Sequence, residues 1–120
     1  MFINFTNHPS NRWSGNQISA AEKYGKITDV PFPAVDPAAT SEEIKQLADE
    51  KTAELIALDP SAVLCQGEMS LCFAMTSRLK KAGIKVLCAT TERRIKITRD
   101  ENGEEKEIPE FCFVQFREYL

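Results

Sequence analysis

The sequence predicts an α/β fold, namely a small Rossmann-like or flavodoxin-like parallel sheet with helices on both faces and a C-terminal β-hairpin. Up to residue 90, short apolar segments typical of strands alternate with longer segments of helical periodicity, which favours parallel strands joined by right-handed crossovers. After residue 92, two segments of alternating polarity flank Asn102 and Gly103, a strong turn signal. Because 120 residues suffice for only one core, we expect a single Rossmann-like domain over residues 1–120, with a terminal hairpin extension at 92–120.

The first half of the chain contains two expected strands and two expected helices. Ser14 precedes Gln17 by three positions, a weak capping box that predicts a helix start after the loop "TNHPSNRW". Thr40 and Glu43 form a clearer capping box, which follows the proline-rich loop "PFPAVDP". The expected elements are strands at 2–5 and 26–30 and helices at 15–24 and 41–58.

The second half continues the alternation and then departs from it. Gly83 ends an apolar-periodic segment whose last turn carries lysines, the pattern of a helix C-terminus. The prolonged alternation beyond "TTE" predicts the hairpin. The expected elements are strands at 62–66 and 84–90, a helix at 68–82, and hairpin strands at 93–100 and 107–120.

Composition excludes several classes of function. Fifteen basic and eighteen acidic residues give a net charge of −3, which argues against a broad binding surface for duplex nucleic acid. No apolar run approaches the roughly 20 residues of a membrane span, and the N-terminus lacks a signal-peptide pattern, so we expect a cytoplasmic protein without membrane contact. The four cysteines form no C-x-x-C pair, which favours reduced, buried thiols over metal ligands or disulfides.

Polar residues follow every expected parallel strand. Ligands of open α/β sheets bind beyond the carboxyl ends of the strands, so these residues are expected to converge on one crevice. The four groups are Thr6, Asn7, His8 and Ser10; Pro31, Phe32, Pro33 and Asp36; Gln66, Gly67, Glu68 and Ser70; and Thr90, Thr91, Glu92, Arg93 and Arg94.

His8 is the candidate general acid or base, because imidazole changes charge near neutral pH. The alternative is a histidine that caps a helix or braces its loop. Gly67 and the following helix N-terminus offer backbone N–H groups to a phosphate, whereas Glu68 either caps that helix or accepts from a ribose hydroxyl. "CQGEMS" has no Walker lysine and a single glycine, so it is neither a P-loop nor a dinucleotide fingerprint.

Arginines and aromatic residues near the same edge suit a nucleotide. Arg12, Arg93 and Arg94 are candidate phosphate ligands, or else solvated charges of the hairpin. Trp13 and Phe32 either stack on a base or close the rim of the core. We predict neither metal nor cofactor, because the carboxylates near this edge show no paired spacing; they are Asp29, Asp36, Glu68 and Glu92.

Three segments, "NFTNHPSNRWS", "ITDVPFPAVDP" and "AVLCQGEMSLCFAMTSRLKKAGIKVLCATTER", together resemble the small single-domain CRISPR-associated proteins with a Rossmann-like, CARF-related fold, some of which are ring nucleases. The resemblance implies a homodimer that binds a cyclic oligoadenylate, the second messenger of type III CRISPR systems, across two crevices. It also implies metal-independent cleavage, in which a ribose 2′-hydroxyl attacks the adjacent phosphate.

On this resemblance, Arg93 or Arg94 and backbone groups near Gly67 would hold the phosphate, and His8 would protonate the leaving 5′-oxygen. Ribose or adenine would be positioned by Asn7, Ser10, Gln66 and Glu68. The full set of expected ligand-binding residues is Asn7, Ser10, Arg12, Gln66, Gly67, Glu68, Ser70, Thr91, Arg93 and Arg94.

Three other functions compete with a ring nuclease. The first is a module that senses a nucleotide without cleaving it. The second is a Rossmann-like enzyme for a nucleoside or phosphorylated small molecule, with Asp36, Glu68 or Glu92 as acid or base. The third is an interaction protein whose terminal strand, "EFCFVQFREYL", pairs with a partner's edge.

Overall fold

The computed structural model describes residues 1–120 as a five-stranded sheet with three α-helices. The prediction of an α/β fold is confirmed, as a mixed sheet. A single turn of 3-10 helix, Ser10–Arg12, follows the first strand. The strands are β1 (Phe2–Phe5), β2 (Ile27–Asp29), β3 (Ala62–Cys65), β4 (Lys85–Arg99) and β5 (Glu105–Glu118), and the helices are α1 (Gly15–Glu22), α2 (Ser41–Ala57) and α3 (Met69–Lys81).

The sheet has the strand order β2-β1-β3-β4-β5. The first four strands are parallel, with β1 paired to β2 on one side and to β3 on the other. β5 returns antiparallel to β4 and forms one edge of the sheet. The carboxyl ends of the neighbouring strands β1 and β3 therefore lie side by side, and the loops that follow them start from adjacent points.

Each face of the sheet carries its own core. Ile3 and Phe5 point to the side covered by α2 and α3, where they pack among twelve buried residues. Phe2 and Leu64 point to the opposite side and pack against Ala21 of α1. Successive side chains of a strand alternate between faces, so the fully buried strands β1 and β3 supply apolar side chains to both cores.

The helix termini follow their predicted signals. Thr40 and Glu43 make the full reciprocal capping box at the start of α2. Ser14 accepts from the backbone N–H of Gln17 at the start of α1. Gly83 follows α3 with a positive φ of 81°, a conformation that glycine adopts without a steric penalty.

The strand expected at 84–90 does not end there. β4 continues to Arg99 because β5 pairs with it from Leu87 opposite Glu118 to Arg99 opposite Glu105, with one irregularity between Thr90 and Thr91. The predicted break between a strand ending at Thr90 and a hairpin strand beginning at Arg93 is therefore wrong, because one strand runs through both. Thr91, Arg93 and Arg94 lie within a strand, where cross-strand hydrogen bonds outweigh the low strand propensity of a polar segment.

The distal part of the hairpin extends from the body of the protein. The molecule measures 55 × 37 × 24 Å, and every residue from 99 to 111 is exposed. No helix has both the length and the apolar character that crossing a membrane requires.

Candidate functional site

A large cavity, about 870 Å³, opens where β1 and β3 end, on the side of the sheet covered by α1. Its wall combines the loop after β1, the first turn of α1, the end of β3 and the proximal part of the β4–β5 hairpin. Six of the predicted site residues line it: Asn7, His8, Arg12, Gln66, Thr91 and Arg94. The remaining five, Ser10, Gly67, Glu68, Ser70 and Arg93, do not.

A buried asparagine holds the loop after β1 in place. Asn4 is 1% exposed, and its Nδ2 donates to the His8 carbonyl oxygen and to Asp29 Oδ1, both at 2.9 Å. Its Oδ1 accepts from the Thr6 hydroxyl at 2.7 Å. Because a buried amide must be satisfied, these bonds fix the loop relative to the sheet. Sequence reasoning missed Asn4, the single polar residue within the strand "FINF".

Asp29, at the end of β2, completes this network. Its Oδ2 accepts from the backbone N–H of Ser10 at 3.2 Å and from the Ser10 hydroxyl at 3.0 Å. Asp29 thereby links β1 to the 3-10 turn. Because the Ser10 hydroxyl is bonded to Asp29, its side chain does not line the cavity.

His8 has two separate structural roles. Its carbonyl oxygen accepts from Asn4 and from Trp13 Nε1 at 3.0 Å, and it lies 3.3 Å from the Thr6 hydroxyl, whose shorter hydrogen bond is to Asn4. Its imidazole is exposed and lines the cavity. The backbone carbonyl of His8 thus braces the loop, which is the structural role considered as the alternative to catalysis. The imidazole is exposed at the cavity.

Trp13 closes the rim of the smaller core and also borders the cavity. Its ring stands edge-on to Phe2, with centroids 6.2 Å apart and an interplanar angle of 86°. The other aromatic residue expected near a base, Phe32, is 3% exposed and packs 4.9 Å from Phe5 in the opposite core. Of the two roles expected for Phe32, its burial supports packing in the core over stacking on a ligand.

Charged residues of both signs lie along the cavity wall. Arg12 and Arg94 line it, against a single carboxylate, Glu110. Glu92 Oε2 accepts from Arg94 Nη2 at 3.0 Å and from Nε at 3.3 Å, and this hydrogen bond raises the pKa of the Arg94 guanidinium. Arg93 sits opposite Phe111 in the hairpin, outside the cavity lining.

Gln66, the first residue after β3, is half-buried between the sheet and the cavity. Its Oε1 accepts from the backbone N–H of Ala89 at 3.0 Å. This bond joins the end of β3 to β4 beyond their last ladder pair and sets the orientation of the side-chain amide.

The loop after β3 satisfies its own polar groups. The Glu68 carboxylate accepts from the backbone N–H groups of Leu71 at 2.8 Å and Ser70 at 3.1 Å, and from the Ser70 hydroxyl at 2.7 Å. These bonds, that from Leu71 first, lower the pKa of the Glu68 carboxyl. Of the two roles expected for Glu68, the geometry is that of a helix cap.

Gly67 is a glycine for a packing reason. A Cβ at this position would lie 2.5 Å from the ring of Phe32, a distance that real Cβ atoms do not adopt. The sequence suggested a phosphate-binding glycine, because it shows that Gly67 precedes a helix N-terminus. It does not show that the ring of Phe32, from a distant loop, packs over Gly67.

The carboxylates considered as metal ligands are dispersed and engaged elsewhere. Asp29 binds Ser10, Glu68 caps α3, Glu92 pairs with Arg94, and Asp36 Oδ1 accepts from the Ala38 N–H at 2.8 Å. No group of three or more His, Cys, Asp or Glu side chains is placed to hold a metal ion.

Several lining residues were not anticipated. They could be predicted only from the pairing of β5 with the extended β4, or from the position of the first turn of α1 over the sheet, and the sequence showed neither. These residues are Asn16, Gln17, Glu110, Phe111 and Phe113.

Comparison with known proteins places the chain in a family. A search of the curated proteins finds no match. The model of a family described as "Uncharacterized protein MJ1673 family" matches residues 1–117, nearly all of the 120-residue chain. The chain therefore belongs to the Uncharacterized protein MJ1673 family.

Proposed function

We propose that the protein binds a cyclic oligoadenylate in the large cavity and cleaves it as a metal-independent ring nuclease. The observation that carries this proposal is the juxtaposition of two guanidinium groups and an exposed imidazole in one cavity at the ends of β1 and β3. The resemblance of three segments of the chain to CARF-related CRISPR-associated proteins supplies the ligand class.

The strand order supports a Rossmann-like, and specifically flavodoxin-like, assignment of the fold. In the order β2-β1-β3-β4, the connection after β1 leads to β2, toward one edge of the sheet, and the connection after β3 leads to β4, toward the other edge. Such a reversal is where doubly wound α/β proteins bind their ligands. The cavity lies at this position, beyond the carboxyl ends of the two strands.

The cavity suits a ligand with phosphates and flat bases. Its volume of about 870 Å³ falls within the usual range of small-molecule sites. Arg12 offers paired donors to phosphate oxygens, and Arg94, whose Nε and Nη2 bind Glu92, offers its remaining Nη1. Trp13, Phe111 and Phe113 offer aromatic faces for adenine.

The proposed reaction needs few reactive side chains. The ribose 2′-oxygen forms a bond to the adjacent phosphorus as its proton passes to water, and the bond from phosphorus to the 5′-oxygen breaks. Protonated His8 supplies the proton that the 5′-oxygen takes up, and the product ends in a 2′,3′-cyclic phosphate. The two arginines stabilise the charge that develops on the phosphoryl oxygens.

A second copy of the chain is the proposed partner, giving the homodimer that the resemblance implies. Ile95 and Ile97 lie on the same hairpin face, 58% and 60% exposed, and the strand register places Phe111 on that face as well. We infer that a second copy covers this apolar face. The hairpin borders the cavity, so the same contact would bring two cavities together around one ring.

Light scattering after size exclusion tests the dimer. Ile95→Glu with Ile97→Glu is expected to give a monomer, because it places charge in the proposed interface. Lys96→Glu is the matched control, since Lys96 lies on the opposite hairpin face. A wild-type monomer, or a dimer that survives the double substitution, would contradict the interface.

Cleavage is tested by incubating the protein with cyclic tetraadenylate and separating the products by chromatography. Wild type is expected to give linear products with 2′,3′-cyclic phosphate ends. His8→Ala is expected to lose turnover and keep binding, measured as a ligand-induced rise in melting temperature. Asn11→Ala, exposed in the adjacent 3-10 turn and outside the cavity lining, is the control.

The possible results separate the competing functions. Intact ligand with a raised melting temperature would mean binding without catalysis. A rise with mononucleotides alone would favour an enzyme for a nucleoside or phosphorylated small molecule. Full turnover by His8→Ala would reject His8 as the general acid.

A further inference from the structure

Two cysteines outside the large cavity are in contact with each other. Cys65 ends β3 and Cys72 lies in the first turns of α3, and their Sγ atoms are 3.7 Å apart. Both are free thiols. The sequence favoured reduced, buried thiols, and the tight connection between β3 and α3 brings this pair together.

A second cavity, about 390 Å³, leads to one member of the pair. Cys72 lines it, whereas Cys65 does not. The cavity lies beside Met69 and Phe73, which are 86% and 79% exposed. A small molecule in this cavity therefore reaches Cys72, whereas Cys65 is fully buried.

Polar groups around Cys72 suit a thiolate. The buried Thr76 hydroxyl, which has no hydrogen-bond partner, lines the same cavity as Cys72. The Tyr119 hydroxyl lies 3.8 Å from Cys72 Sγ and donates to the Cys65 carbonyl oxygen at 2.9 Å. The hydrogen bond with the Cys65 thiol lowers the pKa of Cys72 to about 6, against the opposing effect of burial. The same pairing and burial raise the pKa of Cys65, so the two sulfurs are unequal.

We propose that Cys72 and Cys65 form a redox-active dithiol that a hydroperoxide such as hydrogen peroxide oxidises to an intramolecular disulfide. This is a modification site distinct from the large cavity, and it does not depend on the proposed nuclease function. Cys72 is the sulfur that the oxidant attacks, and Cys65 resolves the product.

The chemistry balances in two steps. The Cys72 thiolate attacks one peroxide oxygen, the O–O bond breaks, and the departing hydroxide takes a proton to become water, which leaves a sulfenic acid on Cys72. The Cys65 sulfur then attacks the Cys72 sulfur and expels the hydroxyl, which leaves as water with the Cys65 proton. Two electrons pass from the thiols to the peroxide, and a small thiol reductant would reverse the oxidation.

The geometry requires only a short movement. The two sulfurs must approach from 3.7 Å to the roughly 2.05 Å of a disulfide bond. The link would join the end of β3 to α3 across the loop that carries Gln66, a residue lining both cavities.

The disulfide is tested in the full chain carrying Cys88→Ser and Cys112→Ser, so that only this pair remains. One equivalent of hydrogen peroxide is expected to remove both thiols and to lower the intact mass by two hydrogen atoms. Peptide mapping without reductant is expected to show the Cys65–Cys72 bridge. Two surviving thiols, a bridge between chains, or oxidation of one sulfur to a sulfinic acid would overturn the proposal.

The order of the two sulfurs is tested by trapping the sulfenic acid with dimedone. In the same background, Cys65→Ser is expected to be labelled at Cys72, and Cys72→Ser to remain unlabelled at Cys65. The opposite pattern would reverse the assignment. Cys65 is fully buried, so Cys65→Ala is made in parallel to provide a folded variant if the serine is not tolerated.

Wild-type protein gives an independent measure that needs no substitution. At pH 6.5, limiting iodoacetamide is expected to alkylate Cys72 before Cys88 and Cys112, although both of those are more exposed. A thiolate explains this order and exposure does not. Faster alkylation of Cys88 or Cys112 would overturn the proposal.

Discussion

The loops that follow the neighbouring strands β1 and β3 look alike in the sequence and differ in the structure. Residues 6–13 are held from below by the buried Asn4, which leaves the His8 imidazole free at the cavity. Residues 66–68 are held by their own groups, because Glu68 caps α3 and Phe32 covers Gly67. Polar side chains at a strand end are therefore available to a ligand only where another residue makes the hydrogen bonds that hold their loop.

The largest effect on stability is expected from Asn4→Ala. The substitution removes three hydrogen bonds and leaves the Thr6 hydroxyl and the His8 carbonyl with fewer partners. We expect a loss of about 2–4 kcal/mol in the free energy of unfolding, because each buried unsatisfied group costs about 1–3 kcal/mol. Urea denaturation measures it, with the exposed Asn11→Ala as control. Equal stability of the two variants would show that the loop does not depend on Asn4.

Gly67→Ala is expected to cost about 1–3 kcal/mol, since an added Cβ overlaps the Phe32 ring. Gly15→Ala is the matched control, because nothing lies within 4 Å of a Cβ there. Adding Phe32→Leu to Gly67→Ala should cost less than the sum of the two single substitutions. Strict additivity in denaturation experiments would mean that the ring does not explain the glycine.

The smallest expected effect is that of Glu68→Gln, and it depends on pH. The pKa of Glu68 is lowered in the folded protein, so its contribution to stability is present above the unfolded pKa and is lost as pH falls through the folded value. The difference in melting temperature between wild type and Glu68→Gln should therefore be larger at pH 7 than at pH 3. If the difference in melting temperature does not depend on pH, the ionised Glu68 carboxylate is not the acceptor that caps α3. Glu101→Gln, at the hairpin tip, serves as the control.

Local signals predicted most of the elements. The capping box at Thr40 and the glycine at position 83 predicted the start of α2 and the end of α3 to within one residue. Both signals depend only on residues that are close in the sequence. The extension of β4 beyond Thr90 was missed, since it depends on cross-strand bonds with a segment far along the chain. The role of Asn4 was missed for the same reason: its partner Asp29 lies on another strand.

The candidate site was predicted in part. His8, Arg12 and Gln66 follow directly from strand-end placement, which the parallel order of β1 and β3 makes reliable. Phe111 and Phe113 come from the antiparallel β5 and carry no such signal. The contact of Cys65 with Cys72 required the geometry of the β3–α3 turn, because a spacing of seven residues matches no redox motif.

The most direct test of the account is calorimetric titration of cyclic tetraadenylate into wild type and into Arg12→Ala with Arg94→Ala. Because a hydrogen bond to a charged group contributes about 1.5–3 kcal/mol, we expect each lost guanidinium to weaken binding by about tenfold or more. Arg99→Ala, which removes a charge at the distal end of the hairpin, should bind as wild type does. Wild type without measurable binding, or a double variant with unchanged affinity, would contradict the assignment of this cavity as the oligoadenylate site.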